Sequence, residues 1–206
     1  MPVPEFLQPR LLHPSPAAAA GGFTAWLEVG ALVRVRVEAW QHDEWLWMHW
    51  AIPCAGGVPE IDAARPFDPG RRAGRAGEPG ESVRAGRAPD ERAALAAATG
   101  LLAGWRPQLH RHARLELVSR PDEPVDQFRR RCLGVFGPAI RSGRLGGPAA
   151  PAELGRLAAE IETRTLGDGE IDTESVQVRV AWYPVDEAPA AAAADLLVGG
   201  AARQRR

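Results

Sequence analysis

The chain has 206 residues, a formal net charge of −1 and an apolar fraction of 45%, but 37 alanines supply much of that fraction. Glycine and proline add 22 and 19 residues, and all 25 basic residues are arginine. The absence of lysine excludes chemistry that needs a lysine of this chain's own, such as a P-loop phosphate lysine or a PLP Schiff base. The near-neutral charge argues against a wholly basic nucleic-acid binder.

Residues 1–22 are rich in Pro, Ala and Gly and read as an irregular segment. Prolines at 2, 4, 9, 14 and 16 interrupt any apolar run there, so no secretory signal is expected. Residues 23–183 read as a single domain, with a long Gly/Arg-rich loop at 55–89 and a Gly/Pro-punctuated linker at 137–150. Residues 184–206 form an alanine-rich tail, too polar and too short in its apolar run to span a bilayer. Two cysteines make no disulfide framework, so a cytoplasmic protein without a membrane span is expected.

Val33, Val35 and Val37 alternate with Arg34, Arg36 and Glu38, the period of a strand with one wet face, and the run reaches Trp40. After the polar break 41–44, Trp45 to Ile52 alternates again, and the two runs read as a hairpin. Leu46, Met48, Trp50 and Ile52 share one face, and Trp45, Trp47, His49 and Ala51 the other. Asp90 precedes an Ala/Leu-rich helix to about Gly104, with Leu95, Ala98, Leu102 and Trp105 facing inward. A helical turn after Pro107 leads to a short strand at Leu115, Leu117 and Val118. A second helix begins at Glu123-Pro124, with Val125, Phe128, Cys132, Val135 and Phe136 as its apolar stripe. A third opens at Pro151 and carries Leu154, Leu157 and Ile161. Gly167-Asp168-Gly169 is a turn, and Val176, Val178, Val180 and Trp182 form a strand that fits beside Val33–Val37. The expected fold is α+β, a small, mainly antiparallel sheet covered by about three helices, with long irregular segments.

The run LELVSRPDEPVDQFRRR, Leu115 to Arg131, resembles a junction in bacterial HerA-like ATP-binding proteins, relatives of the HerA/FtsK DNA-translocating ATPases. Leu117, Val118, Ser119, Arg120, Pro121, Glu123, Phe128 and Arg131 carry the resemblance, and VQVRVAWYPV, Val176 to Val185, is similar to the closing strand of those chains. The P-loop, a Walker B acid and the long charged helical pair of that family are missing here. The resemblance therefore implies the C-terminal accessory region alone, a part for assembly or partner binding, and no motor residue transfers.

Candidate chemistry is sparse. His110 and His112 lack a Cys or acidic partner at ligand spacing and read as a solvated pair beside Arg111 and Arg114. Cys132 lies on an apolar stripe and Cys54 has no histidine partner, so both read as structural. Ser119, Asp122 and Glu123 read as capping groups for the following helix. Asp168, Glu170 and Asp172 lack the ligand order of a calcium loop. Neither a metal nor a cofactor is expected, and no catalytic residue is assigned.

Trp40, Trp45, Trp47 and Trp50 fall within eleven residues. They fit a two-sided core, a protein-binding surface or a small-ligand platform. The expectation is a non-enzymatic assembly or adaptor subunit that binds copies of itself or a larger, ATP-driven machine. Trp45, Trp47 and Trp50 are its contact residues, and Arg129 and Arg130 its orienting charges. The alternative is a nucleic-acid-associated accessory factor using the arginines at 111, 114 and 129–131, which salt would weaken.

Overall fold

The computed structural model describes residues 2–8, 10–12, 23–67, 69, 76–77, 87–141, 160–184 and 189. Its first long element is β3, Phe23–Val37, preceded by β1 (Glu5–Phe6) and β2 (Arg10–Leu12). Every odd position of β3 from Phe23 to Val37 is buried, which is the period-two pattern of Val33–Val37 carried ten residues upstream through Ala25, Leu27, Val29 and Ala31. A single 3-10 turn, Glu38–Trp40, and Gln41 in the left-handed region reverse the chain into β4, His42–Ala55. Two adjacent strands joined by four residues can only be antiparallel, so the expected hairpin forms, with Trp40 in its turn.

The sheet continues through the segment expected to be irregular. β5 (Val58–Pro59) and β6 (Arg65–Pro66) pair antiparallel with the far half of β4, and β7 (Ala76–Gly77) pairs with β2. β11, Ile171–Pro184, lies beside β3, as its valine pattern predicts. On its other side β1 and β2 run parallel to it, so two strands come from the Pro-rich start of the chain. The result is a mixed eight-stranded sheet.

Between these strands lie α1 (Glu91–Gly104) and α2 (Val125–Arg141), the only two α-helices among the described residues. The expected small, mainly antiparallel sheet under about three helices is therefore wrong: the fold is dominated by strands and its main sheet is mixed. The physical reason is that short strands such as Arg65–Pro66 need only backbone pairing to an existing edge, and leave no hydrophobic period to read. The helix expected from Pro151 lies outside the described residues.

The described chain divides into two compact units. Unit 1 comprises residues 1–35, 44–105 and 172–206. In its core, Leu27, Val29, Trp50, Ile52, Val176, Val178, Val180 and Trp182 are buried, as are Ala94, Ala97, Ala98 and Leu102 of α1. Asp90 caps α1 as expected, its Oδ1 accepting the Ala93 N–H at 2.7 Å.

Unit 2 comprises residues 36–43 and 106–171. Here the chain after Pro107 is a strand, not a helical turn: β8 (Gln108–His112) sits between β9 (Leu117–Val118) and β10 (Glu162–Thr165) in a three-stranded sheet. Phe128, Cys132 and Phe136 of α2 pack with Leu115, confirming the helical stripe, while Val125 at its start is exposed. The residues 137–141 expected in a linker form the last turn of α2.

Candidate interaction surface

β4 separates the tryptophans by parity. Trp50 points into the core of unit 1, 3% exposed, and meets Trp105 edge to face at 5.1 Å between centroids. Trp45 and Trp47 point to the opposite face and remain 47% and 49% exposed. Of the three expected contact residues, only these two present a surface. Trp50 is withdrawn by the same alternation that exposes them.

The surroundings hold both indoles in place. The Arg34 guanidinium lies 5.6 Å from the Trp45 ring, a cation–π contact. The Trp47 ring stacks on His49 at 6.1 Å with an interplanar angle of 13°, and His49 in turn meets Phe67 edge to face at 5.9 Å. Gly30 makes room for this stack: a Cβ there would come within 3.1 Å of His49 Nδ1.

Among the described residues, the backbone of the same stretch also lacks a partner strand on one edge. On the outer edge of β4, Phe67 N–H donates to the His49 carbonyl at 3.0 Å, followed by β6 at Trp50–Ala51 and β5 at Cys54–Ala55. From 45 to 48 no described strand lies on that edge. Along a strand the N–H and C=O of alternate residues point the same way. With the His49 carbonyl on the outer edge, Trp45 and Trp47 direct their own backbone groups off it. Each residue thus offers an unburied indole and an edge-facing peptide.

Further along that face of the sheet, Tyr183 donates its hydroxyl hydrogen bond to the buried Glu28 carboxylate at 2.7 Å. Trp26 meets Tyr183 edge to face, and the Arg65 guanidinium covers Trp26 at 4.7 Å. Nothing in the alternation of β3 or β11 announced this cluster. Its one signal was the charged residues Glu28 and Arg179 set in apolar strands.

Unit 2 holds the junction 115–131, where the hydrogen bonding is dense. Ser119 Oγ accepts the His110 N–H at 2.7 Å and donates to the Arg120 carbonyl at 2.9 Å, tying the junction to β8. Asp122, at φ 59°, accepts the Gln108 N–H at 3.1 Å. Glu123 is buried and accepts from Arg120 N–H at 3.0 Å and from Arg131 Nη2 and Nε at 2.7 and 3.2 Å. The expected capping of α2 is thus replaced by ties to β8 and to Arg131. The start of α2 is marked instead by the Pro124 carbonyl, which accepts from Gln127 and Phe128.

His110 and His112 are buried, not solvated: β8 is flanked by strands on both edges and its histidines pack on α2. His110 Nδ1 lies 2.9 Å from Thr163 Oγ1, His112 Nδ1 accepts the Leu115 N–H at 3.3 Å, and their rings contact Phe128 and Phe136. Arg129 pairs with Asp126 one turn back on α2, and Arg130 is exposed beside it. These two arginines belong to unit 2, whereas Trp45 and Trp47 belong to unit 1.

The two cysteines are free and buried, and burial pushes both thiols up to about 11, so neither is a thiolate near neutral pH. Among the described residues, no group of three His, Cys, Asp or Glu side chains is placed to hold a metal ion. No described helix is long and apolar enough to cross a membrane. Comparison with models of protein families, with curated proteins and with solved structures finds no match to this chain.

Proposed function

We propose that the chain is an assembly subunit without catalytic chemistry of its own, and that its first partner is a second copy of itself. The observation that carries this reading is the coincidence of Trp45 and Trp47, half exposed, with an edge of β4 free of any described strand over 45–48. A two-fold centred on Leu46 sets Trp45 of one copy opposite Trp47 of the other. Their peptides exchange hydrogen bonds and their indoles pair across the strands. Such an interface is isologous and closes on itself, as two-fold symmetry requires.

The four half-exposed indoles offer roughly 400 Å² of apolar surface, or about 10 kcal/mol at 25 cal/mol per Å². Association costs are of similar size, so the indoles alone do not hold a tight dimer; with the edge hydrogen bonds added, a weak, concentration-dependent dimer is expected. Because the contact is apolar and backbone-mediated, salt has little effect on it.

On the resemblance of 115–131 to the HerA-like accessory region, such a dimer would serve an ATP-driven machine supplied by another chain, in the cytoplasm, where its two cysteines would stay reduced. The nucleic-acid reading loses support in unit 2. Arg111, Arg114, Arg129 and Arg131 lie against Glu162, Glu160, Asp126 and Glu123, which neutralise much of the charge a phosphate backbone would need.

Light scattering after size exclusion, over a concentration series and at two salt levels, tests the proposal with Trp47→Asp as the variant. The expected result is a salt-tolerant dimer in the wild type and a folded monomer in the variant. A wild type monomeric at every concentration, or a dimer indifferent to the substitution, refutes it. A stable complex with a different protein only would move the reading from self-assembly to an adaptor.

A further inference from the structure

On the same face of unit 1, between the β1 segment and His49, lies a hollow of about 160 Å³. Gly30 lies in its floor, where the absent side chain lets the His49 ring approach the sheet. Its walls are Leu7, Glu28, His49, Phe67, Gln177 and Arg179. It has room for a small molecule of several heavy atoms.

The polar groups in and beside the hollow are incompletely satisfied. Arg179 Nε is buried and has no hydrogen-bond partner among the described residues. Buried polar groups are nearly always paired, and an Arg179 Nε–H left unpaired beside a cavity calls for an acceptor. The only carboxylate among the described lining residues is Glu28, which already accepts from Tyr183. The planar fork of arginine suits an oxyanion. Leu7 and Phe67 supply apolar wall for an alkyl end.

We infer that this hollow is a binding site for a small aliphatic monocarboxylate, with Arg179 as the residue that takes its oxygens. The apolar wall of Leu7 and Phe67 favours a carboxylate with an alkyl end over a phosphate or sulfate dianion. The site does not depend on pairing of the β4 edges.

The test is a titration of the full chain with acetate at constant ionic strength, followed by backbone amide chemical shifts, with chloride, phosphate and sulfate as comparisons. Saturable shifts centred on Gly30, His49 and Arg179 are expected with acetate alone. Arg179→Gln should weaken binding about tenfold or more, while Arg92→Gln, an equal charge change on the exposed face of α1, should leave it within about twofold. Arg179→Lys, which keeps the charge but loses Nε–H, should weaken acetate and serves if the Gln variant fails to fold. An absence of saturable shifts, tighter binding of phosphate or sulfate, or unchanged affinity in folded Arg179 variants overturns the assignment.

Discussion

Replacing Glu123 by Ala removes an acceptor that serves three hydrogen bonds. The Glu123 side chain is 4% exposed, and its two oxygens take Arg131 in a bidentate pair and the Arg120 N–H besides. Losing the carboxylate strips the Arg120 N–H of that acceptor, at about 1–3 kcal/mol. Arg131 loses its counter-charge, but its side chain is 32% exposed, it still donates to the Val118 carbonyl, and it still lies over Phe128. Its share is therefore smaller than for a fully buried pair, and the total should be about 2–4 kcal/mol, just under the range for breaking such a pair.

Glu123→Gln keeps the shape and one acceptor and should cost about half as much. Arg131→Ala should cost at least as much as Glu123→Ala, because it strands a carboxylate that is itself out of water. Urea unfolding followed by far-UV circular dichroism reads these differences, as midpoint shifts of about 1–2 M for the Ala variants. Urea is the denaturant of choice because guanidinium would screen the pair. A double-mutant coupling near zero, or a Glu123→Ala cost under about 0.5 kcal/mol, would show that the junction is held by its backbone bonds and not by this pair.

Trp50→Ala should destabilise unit 1 by about 3–5 kcal/mol through the cavity left beside Trp105, whereas Trp45→Ala should change stability little; thermal unfolding of the two separates core from surface. Asp90→Ala should cost about 1 kcal/mol through loss of the α1 cap, read by the same melts. For the thiols, the unfolded groups ionise from the ordinary value of 9.0 and the folded ones only near about 11. The folded state therefore binds more protons in that window, so stability is level below pH 9 and falls as pH rises from 9 toward 11. Cys54→Ala with Cys132→Ala should flatten that fall, and a thiol reagent at pH 7.5 should label the wild type only on unfolding.

What the chain discloses about its fold follows from side-chain periodicity. The end of β3 from Val33 to Val37, the stretch Val176 to Trp182 of β11, α1 behind Asp90, and α2 with Phe128, Cys132 and Phe136 on one stripe all repeat long enough to be read. β1, β2, β5 and β6 do not, because two or three residues set on an existing edge owe their place to backbone pairing. β8 was misread for a different reason: Gln108 to His112 has no clean polar–apolar alternation, since both histidines are buried against α2. At the surface, alternation placed Trp45 and Trp47 together and should also have withdrawn Trp50, whose opposite parity was plain. The edge of β4 that no described strand covers and the hollow beside His49 depend on where other strands stop, which no local pattern records.

The most direct measurement is amide hydrogen exchange at Trp45 and Trp47 at low and at high protein concentration. Edge pairing between copies predicts that both amides exchange quickly when the protein is dilute and become protected as it is concentrated, while the Val33 and Val178 amides stay unchanged. Equal exchange of Trp45 and Trp47 at both concentrations, in a sample that light scattering shows to be associated, would place the contact elsewhere and contradict the proposed assembly.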